Sequence, residues 1–351
     1  MNTLRIIDIA RLAGVSAGTV DRVIHRRGRV ADEKREKIEQ IMKDVHYEPN
    51  MVARFLAHHK KYAVAVLAPT FQQGDYWQLV CKGIDSAAED LKNFNVLVKF
   101  FHFNQYDRES FIEATNQLKV QHFDGVIVAT LFGELVVELS NYLKINEIPF
   151  IYIDSAIPHQ NDLAYFGGDS YQDGLIAAKL LLKEIGLQAD LFFAHIRFKH
   201  SEISMQMKTR EQGVLDGLAQ QNFCGNITHL EINTDNYADN IEKLNVILNK
   251  NEDLIGGIVL NSRIYELIKV LNNFEVAQRS RFVLLGHEAI EENIVALKNG
   301  KIVYLLSQRP ELQGYDALKA MGNYILFNQT PAKENFMPID ILIRENVGYY
   351  V

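Results

Sequence analysis

The chain has few cysteines and no long apolar run. Its 351 residues include two cysteines, Cys81 and Cys224, neither in the spacing of a zinc or redox motif. Two isolated thiols exclude a disulfide framework and fit a reducing compartment. No segment reaches the roughly 20 consecutive apolar residues that cross a bilayer. The N-terminus "MNTLRIIDIARLAG" carries arginines and an acid where a secretory signal needs an apolar core. A cytoplasmic protein is therefore expected. Also missing are a P-loop, a nucleophile elbow and a metal-ligand cluster at a recognisable spacing, and "FGGDSYQDG" lacks the dinucleotide-binding pattern. The eleven histidines are scattered. His58 and His59 read as solvated or phosphate-facing rather than catalytic. No enzyme, cofactor or bound metal is expected.

Charge is present but unevenly spread. Residues 1–60 carry twelve Lys or Arg against eight acids, a net +4, which leaves −11 on the rest of a chain whose total is −7. A basic head on an acidic body suggests that only the head meets a polyanion. At 48% hydrophobic and 23% charged, the chain has enough apolar material for two or three compact units.

The head reads as three short helices. The first runs near Ile6 to Ala13, with Ile6, Ile9, Ala10 and Ala13 on one face. The second runs from about Ala17 to His25 and buries Val20, Val23 and Ile24. The third, "DEKREKIEQIMKDVHY", places Ile38, Ile41, Met42 and Val45 at i, i+3, i+4, i+7. Between the first two helices Gly14 supplies a residue tolerant of positive φ, Val15 plugs the joint and Ser16 caps the second helix. Pro49 ends the third element, and Asn50 caps a short helix from Met51 to about Ala57. After Lys61 the pattern changes. "YAVAVLAP" is a short, continuously apolar run, the mark of a buried parallel strand. Similar runs then alternate with helical stretches: "VLVKFFHF", "FDGVIVAT", "PFIYIDS", "LAYFGGD", "DLFFAHI", "GGIVLNS", "RFVLLGHE" and "KIVYLLSQ". That alternation predicts doubly wound parallel sheets with helices on both faces, and ligands outside the carboxyl ends of the strands.

The segments "DIARLAGVSAGTVDRVI" and "REKIEQIMKDVHYEPNMVARFLA" resemble the lactose-repressor (LacI/GalR) family of bacterial regulators, and the body resembles the ribose-type periplasmic sugar-binding proteins. The resemblance covers essentially the full chain. It implies a helix-turn-helix whose second helix enters the major groove. Ala17, Gly18 and Arg22 hold the base-contacting positions, while Ser16 and Thr19 touch phosphates. Arg26, with Arg27 and Arg29, forms a phosphate-anchoring loop. A hinge helix from about Asn50 to Ala57 lies against the minor groove, with Leu56 as the wedge that bends the duplex. Two features depart from the family. Ala31 stands where a Ser or Thr caps the third helix, with Asp32 as its substitute, and Asp21 is an acid where a small polar residue is common.

Sugar sites combine an aromatic face with carboxylates, amides and arginines that grip hydroxyls. Tyr76 and Trp77, the latter the only tryptophan, follow the first strand and hold the stacking positions of the resembling sugar binders. Asp154 in "YIDSA" matches their hydroxyl-binding aspartate, and Ser155 replaces the arginine of the ribose binders. Arg210 matches an Arg-x-x-Gly pattern. Asn261 is followed by Ser262 instead of aspartate, and Glu288 stands where an aspartate is usual. Gln308 comes from "LSQRPELQGYDAL", and Asn104 from "NQYD". Asp169 is read as a helix cap. Arg197 or Lys199 would add positive charge for a uronate or sugar phosphate.

The expected architecture is a small all-α helix-turn-helix head (1–48), a hinge helix and linker (49–61) and a two-lobed, periplasmic-binding-protein-like α/β body (62–351). The expected function is a homodimeric transcriptional regulator, read as a repressor. Its partners are operator DNA and a carbohydrate or polyol effector held between the lobes. The alternatives are a body responding to a purine, a sugar acid or phosphate or a protein co-regulator, and a solute-binding protein. Dimer contacts are expected from the lobes, for example from "WQLVCKGIDSAAEDL".

Overall fold

A computed structural model describes residues 6–24, 28, 30–45, 60–197, 204–250 and 253–350. The expectations placed on Arg26, Arg27, Arg29, Asn50, Leu56, His58, His59 and Lys199 fall outside the described residues. The chain forms two compact units, Met1–Lys60 and Lys61–Val351.

In the first unit, helices α1 (Ile6–Ala13), α2 (Ala17–Ile24) and α3 (Asp32–Asp44) enclose a small core. Ile9, Ala10, Ala13, Val20, Val23 and Ile38 are buried, with Ile6, Val15, Ile24, Ile41 and Met42 packed around them. The 3.6-residue apolar stripes thus meet as the sequence predicts. Gly14 turns the chain at φ +70°. Ser16 caps α2, its Oγ accepting from Thr19 N at 3.3 Å. The start of α3 differs from expectation. Ala31 is the N-cap and offers no side-chain bond. Asp32 lies inside the first turn, 3.6 Å from Arg35 Nη1, where it favours the helix dipole rather than capping an amide.

The second unit contains two sheets of one plan. The first lobe is built on β1 (Tyr62–Pro69), β2 (Val96–Phe103), β3 (Gly125–Ala129), β4 (Phe150–Ile153) and β5 (Ala164–Gly167). The second is built on β6 (Leu191–Arg197), β7 (Ile227–Asn233), β8 (Ile255–Ile258), β9 (Phe282–His287) and β10 (Tyr304–Ser307). Two short strands, β11 (Glu334–Phe336) and β12 (Asp340–Leu342), complete the sheets, whose orders are β11-β5-β4-β3-β1-β2 and β12-β10-β9-β8-β6-β7. Every pairing is parallel except β10 with β12. Val64 to Ala68 of β1 are fully buried, as expected of a strand covered on both faces.

The chain changes lobe three times. After β5 it enters the second lobe through α7 (Ser170–Ile185), which packs on α8 (Met205–Gln220). After β10 it returns through α13 (Pro310–Phe327), which packs on α4 (Tyr76–Leu91). The link from β11 to β12 is the third crossing. Both helix pairs cross through glycines. A Cβ on Gly83 would stand 1.9 Å from Glu311 O, and one on Gly174 would stand 2.1 Å from Arg210 O. The buried residues of "WQLVCKGIDSAAEDL" pack within the chain, against α13 and the first sheet. Among the described residues no helix is long and apolar enough to cross a membrane.

Candidate functional site

The loops at the carboxyl ends of the strands line a cavity of about 140 Å³, a volume suited to one small ligand. Both lobes contribute. From the first come Asp75, Tyr76 and Trp77 after β1, Gln105 and Tyr106 after β2, Leu131 after β3 and Asp154 after β4. From the second come His195 and Arg197 on β6, Gln206 and Arg210 at the start of α8, Asn261 to Arg263 after β8 and Glu288 after β9. This is where doubly wound sheets place ligands.

Of the eight residues nominated from sequence, Tyr76, Trp77, Asp154, Arg210, Asn261 and Glu288 line this cavity. Tyr76 and Trp77 meet edge to face, with centroids 5.2 Å apart. Tyr76 Oη donates to Gln313 Oε1 at 3.0 Å, and burial holds its hydroxyl well above the ordinary tyrosine range. Asn261 Oδ1 accepts from Arg263 N at 3.0 Å, which orients its amide.

Gln308 and Asn104 are placed differently from expectation. Gln308 is buried and does not line the cavity. Its Nε2 donates to Glu288 Oε1 at 2.9 Å, and its Oε1 accepts from Gly168 N at 2.9 Å. Gly168 permits this approach, since a Cβ there would stand 2.1 Å from Gln308 Oε1. With both ends of its amide engaged, Gln308 positions Glu288 and ties the two crossovers together. Asn104 Oδ1 accepts from Tyr106 N at 3.0 Å, so it shapes the turn that carries Tyr106 towards the cavity. Asp169 is a cap, accepting from Gln172 N at 3.0 Å.

The electrostatic centre is Arg210, a guanidinium buried to 1% exposure. It donates to Leu260 O in a short contact, and its Nη2 lies 2.9 Å from Asp173 Oδ2. Asp173 also faces His287 Nε2 at 2.9 Å, and His287 Nδ1 lies 2.7 Å from Val259 O. Burial alone would raise the Asp173 carboxyl, but Arg210 and then His287 outweigh it and hold it below the usual range. Burial, followed by Arg210, keeps His287 below the ordinary histidine value. Arg210 Nε is buried with no hydrogen-bond partner among the described residues.

Two acids flank this guanidinium. Burial pushes Asp154 up to about 6, against the pull of Arg210, Ser155 and Gln206. It pushes Glu288 up to about 7, against Arg210 and Gln308. Near neutral pH each can therefore accept from, or donate to, a hydroxyl. Gln206 Nε2 donates to Asp154 Oδ1 at 3.1 Å. The Arg263 guanidinium sits 4.9 Å from the Tyr106 ring centroid and spans the two lobes.

Sequence reasoning missed Asp173, His287, Gln206, Tyr106 and the cavity role of Arg263. Asp173 is four residues beyond the capping Asp169, on the inward face of α7, and only the packing of α7 on α8 brings it to Arg210. The sequence also shows no metal-type spacing, yet the fold gathers His195, Glu211 and His229 on the second lobe.

On the head, Ala17, Gly18, Thr19 and Arg22 all lie on α2, with Ser16 at its N-cap. Gly18 and Arg22 are exposed, as is Ser16. Ser16 Oγ and Thr19 Oγ1 are 2.9 Å apart.

Residues 64–329 match the periplasmic binding protein domain, and residues 5–50 match the bacterial regulatory proteins of the lacI family. The NTD biosynthesis operon regulator NtdR of Bacillus subtilis (strain 168) is 29% identical over 222 residues, 62% of each chain. The sucrose operon repressor of Lactococcus lactis subsp. lactis is 29% identical over 180 residues, 51% of this chain and 52% of that protein. The chain thus spans about half to three fifths of the length of these curated relatives. A crystal structure assigned as a LacI transcriptional regulator from Bacteroides fragilis superposes with a TM-score of 0.76 at 31% identity, over 83% of this chain and 100% of that one. The head matches the lacI regulators and the two-lobed body matches the periplasmic binding protein domain, and the chain belongs to the lacI family of bacterial regulatory proteins, with a periplasmic binding protein domain as its body.

Proposed function

We propose that the protein is a sequence-specific DNA-binding repressor, acting in the cytoplasm as a homodimer, whose operator affinity is set by a small sugar or polyol bound between the lobes. The carrying observation is the pairing of Asp154 and Glu288, one from each lobe, around the buried guanidinium of Arg210. Carboxyls near neutrality, an arginine with an unused Nε, the Asn261 amide and the Tyr76–Trp77 aromatic corner are the groups that grip a polyhydroxylated ring. A ligand that touches both lobes favours one lobe arrangement over others, and that preference is the free energy available to change operator binding. The sucrose operon repressor among the relatives supports the sugar class.

A second reading rests on Arg197 and Arg263, which line the same cavity as Arg210. Three arginines beside two carboxyls whose ionisation burial disfavours suit an acidic sugar.

A thermal-shift screen of the full chain against neutral sugars, polyols, uronates and sugar phosphates separates these readings. A shift from a neutral sugar that vanishes in Asp154→Ala and Arg210→Ala supports the first. A shift confined to acidic sugars and lost in Arg263→Ala supports the second. Shifts unchanged in all three variants refute the site. For the head, binding to genomic DNA fragments must be sequence-selective and weaken steeply with salt.

A further inference from the structure

Beside the effector cavity, on the second lobe, three side chains from separate elements converge. His195 lies on β6, His229 on the adjacent edge strand β7, and Glu211 on α8 above them. Parallel register pairs His195 with Glu231 and Phe193 with His229, so the two histidines share one face of the sheet. Their ring planes lie within 8° of each other, and with centroids 5.5 Å apart the rings meet edge to edge rather than face to face. His195 Nε2 lies 3.2 Å from His229 Nδ1. The Glu211 carboxylate presents one oxygen to each ring, Oε2 at 3.6 Å from His195 Nε2 and Oε1 at 3.5 Å from His229 Nδ1.

We propose that His195, His229 and Glu211 bind a divalent transition-metal ion of the zinc class. The carboxylate–imidazole separations are too long for good hydrogen bonds. They match the roughly 3.4 Å between neighbouring donors around a four-coordinate ion with bonds near 2.0–2.1 Å. Two nitrogens 3.2 Å apart and bonded to one such ion subtend roughly 100° at it, close to tetrahedral. Without an ion, the two facing nitrogens can share only one proton between them. Two imidazoles and one carboxylate favour zinc, cobalt or nickel over magnesium or calcium, which take oxygen donors.

The surroundings agree with this assignment. His195 is 8% exposed, Glu211 20% and His229 48%, so the ion sits at the floor of a recess whose open side supplies water as the remaining ligand. Arg197 and Lys208 border the recess, and Arg197 is paired with Glu231 at 2.9 Å. His195 Nδ1 is buried with no partner among the described residues, and His195 also lines the effector cavity. A metal-bound imidazole is oriented by what its other nitrogen meets, so a ligand in the cavity and an ion in the recess would share one side chain. The site itself stands whether or not the effector is a sugar.

The test uses the full chain, stripped with chelator and titrated with zinc chloride in equilibrium dialysis, and with cobalt(II) followed by visible absorption. One ion per chain is expected, with a four- or five-coordinate cobalt spectrum and a zinc-dependent rise in melting temperature. His229→Ala and Glu211→Gln, both at partly exposed positions, should each weaken binding by about tenfold or more and lose the spectrum and the thermal shift. His159→Ala, on an exposed loop of the other lobe, should keep all three. No saturable binding near one ion per chain, or binding undiminished in both site variants, overturns the assignment.

Discussion

Asp154 and Glu288 occupy equivalent places in the two lobes. Each follows the fourth strand of its sheet, and each turns the chain at positive φ, 81° and 69° respectively. Each presents a buried carboxyl to the field of Arg210. A non-glycine residue in that region carries backbone strain, and here the strain appears twice, at matched positions, where it aims both acids into the shared cavity.

The pH dependence of stability follows from this pair. Burial raises both carboxyls, to about 6 and about 7, above roughly 4 in the unfolded chain. Between those values the folded protein holds protons that the unfolded chain has released. Their contribution therefore falls as pH rises from about 4 through 7 and is level above that. Without ligand, the Asp154→Asn/Glu288→Gln double variant should lose most of this decline when melting temperatures are compared at pH 5.5 and 8. His195 and His287, lowered chiefly by burial, act in the opposite sense on acidification, so the difference between parent and variant is the readout. Identical pH profiles would refute the account.

Asp173→Asn should be costly. It leaves Arg210, 1% exposed, without its counter-charge. Breaking one side of a buried pair costs about 3–5 kcal/mol. Urea denaturation should show that loss in the body, together with loss of any ligand-induced thermal shift. A change under about 1 kcal/mol would mean that water already reaches the guanidinium.

On the head, Gly18→Ala should stabilise α2 by about 1 kcal/mol. An added Cβ would meet nothing nearer than Ser16 Oγ at 4.0 Å. Arg22→Ala should instead leave stability nearly unchanged and relax base preference, since Ala17 and Gly18 offer no polar side chain to base edges. Selection of binding sites from a random DNA pool reads the second effect, and an unaltered preference would remove Arg22 from the base-contacting set.

Two glycines at helical positions should respond oppositely to alanine. Gly83→Ala drives a methyl into the Glu311 backbone at 1.9 Å and should cost about 1–3 kcal/mol by overpacking. Gly133→Ala, with nothing within 4 Å, should be neutral or stabilising. Melting temperatures of the two variants decide it, and equal effects would mean that the α4–α13 crossing can slide apart.

Most strands legible in the sequence are those buried on both faces, because a parallel strand between two helical layers must be apolar throughout; the edge strand β2 was legible too, since "VLVKFFHF" is largely apolar although partly exposed. β7 escaped detection because it is an edge strand whose residues are mostly exposed, so "ITHLEIN" has no continuous apolar run. β11 and β12 are three residues each, too short to leave a pattern. In the cavity, Asp154 and Glu288 were legible because they stand at strand ends in the positions where the resembling sugar binders carry ligand-gripping acids. Gln308 was found for the same reason but misplaced, because sequence position does not reveal that Gly168 and Glu288 already occupy its amide. Asp173 and His287 are 114 positions apart and carry no local signal.

The sequence alone determined the helical head, the alternation of buried strands and helices, and the strand-end positions from which ligand-facing side chains project. These follow from local periodicity and from where apolar runs stop. Only the tertiary structure decided which of those side chains converge. The lobe crossings after β5 and β10 bring α7 onto α8 and α13 onto α4. Those packings set Asp173 against Arg210, engage Gln308 with Glu288, and leave His195 within reach of both the cavity and the His229–Glu211 recess. Such convergence depends on contacts between residues far apart in the chain, and the spacing of residues along the sequence does not encode them.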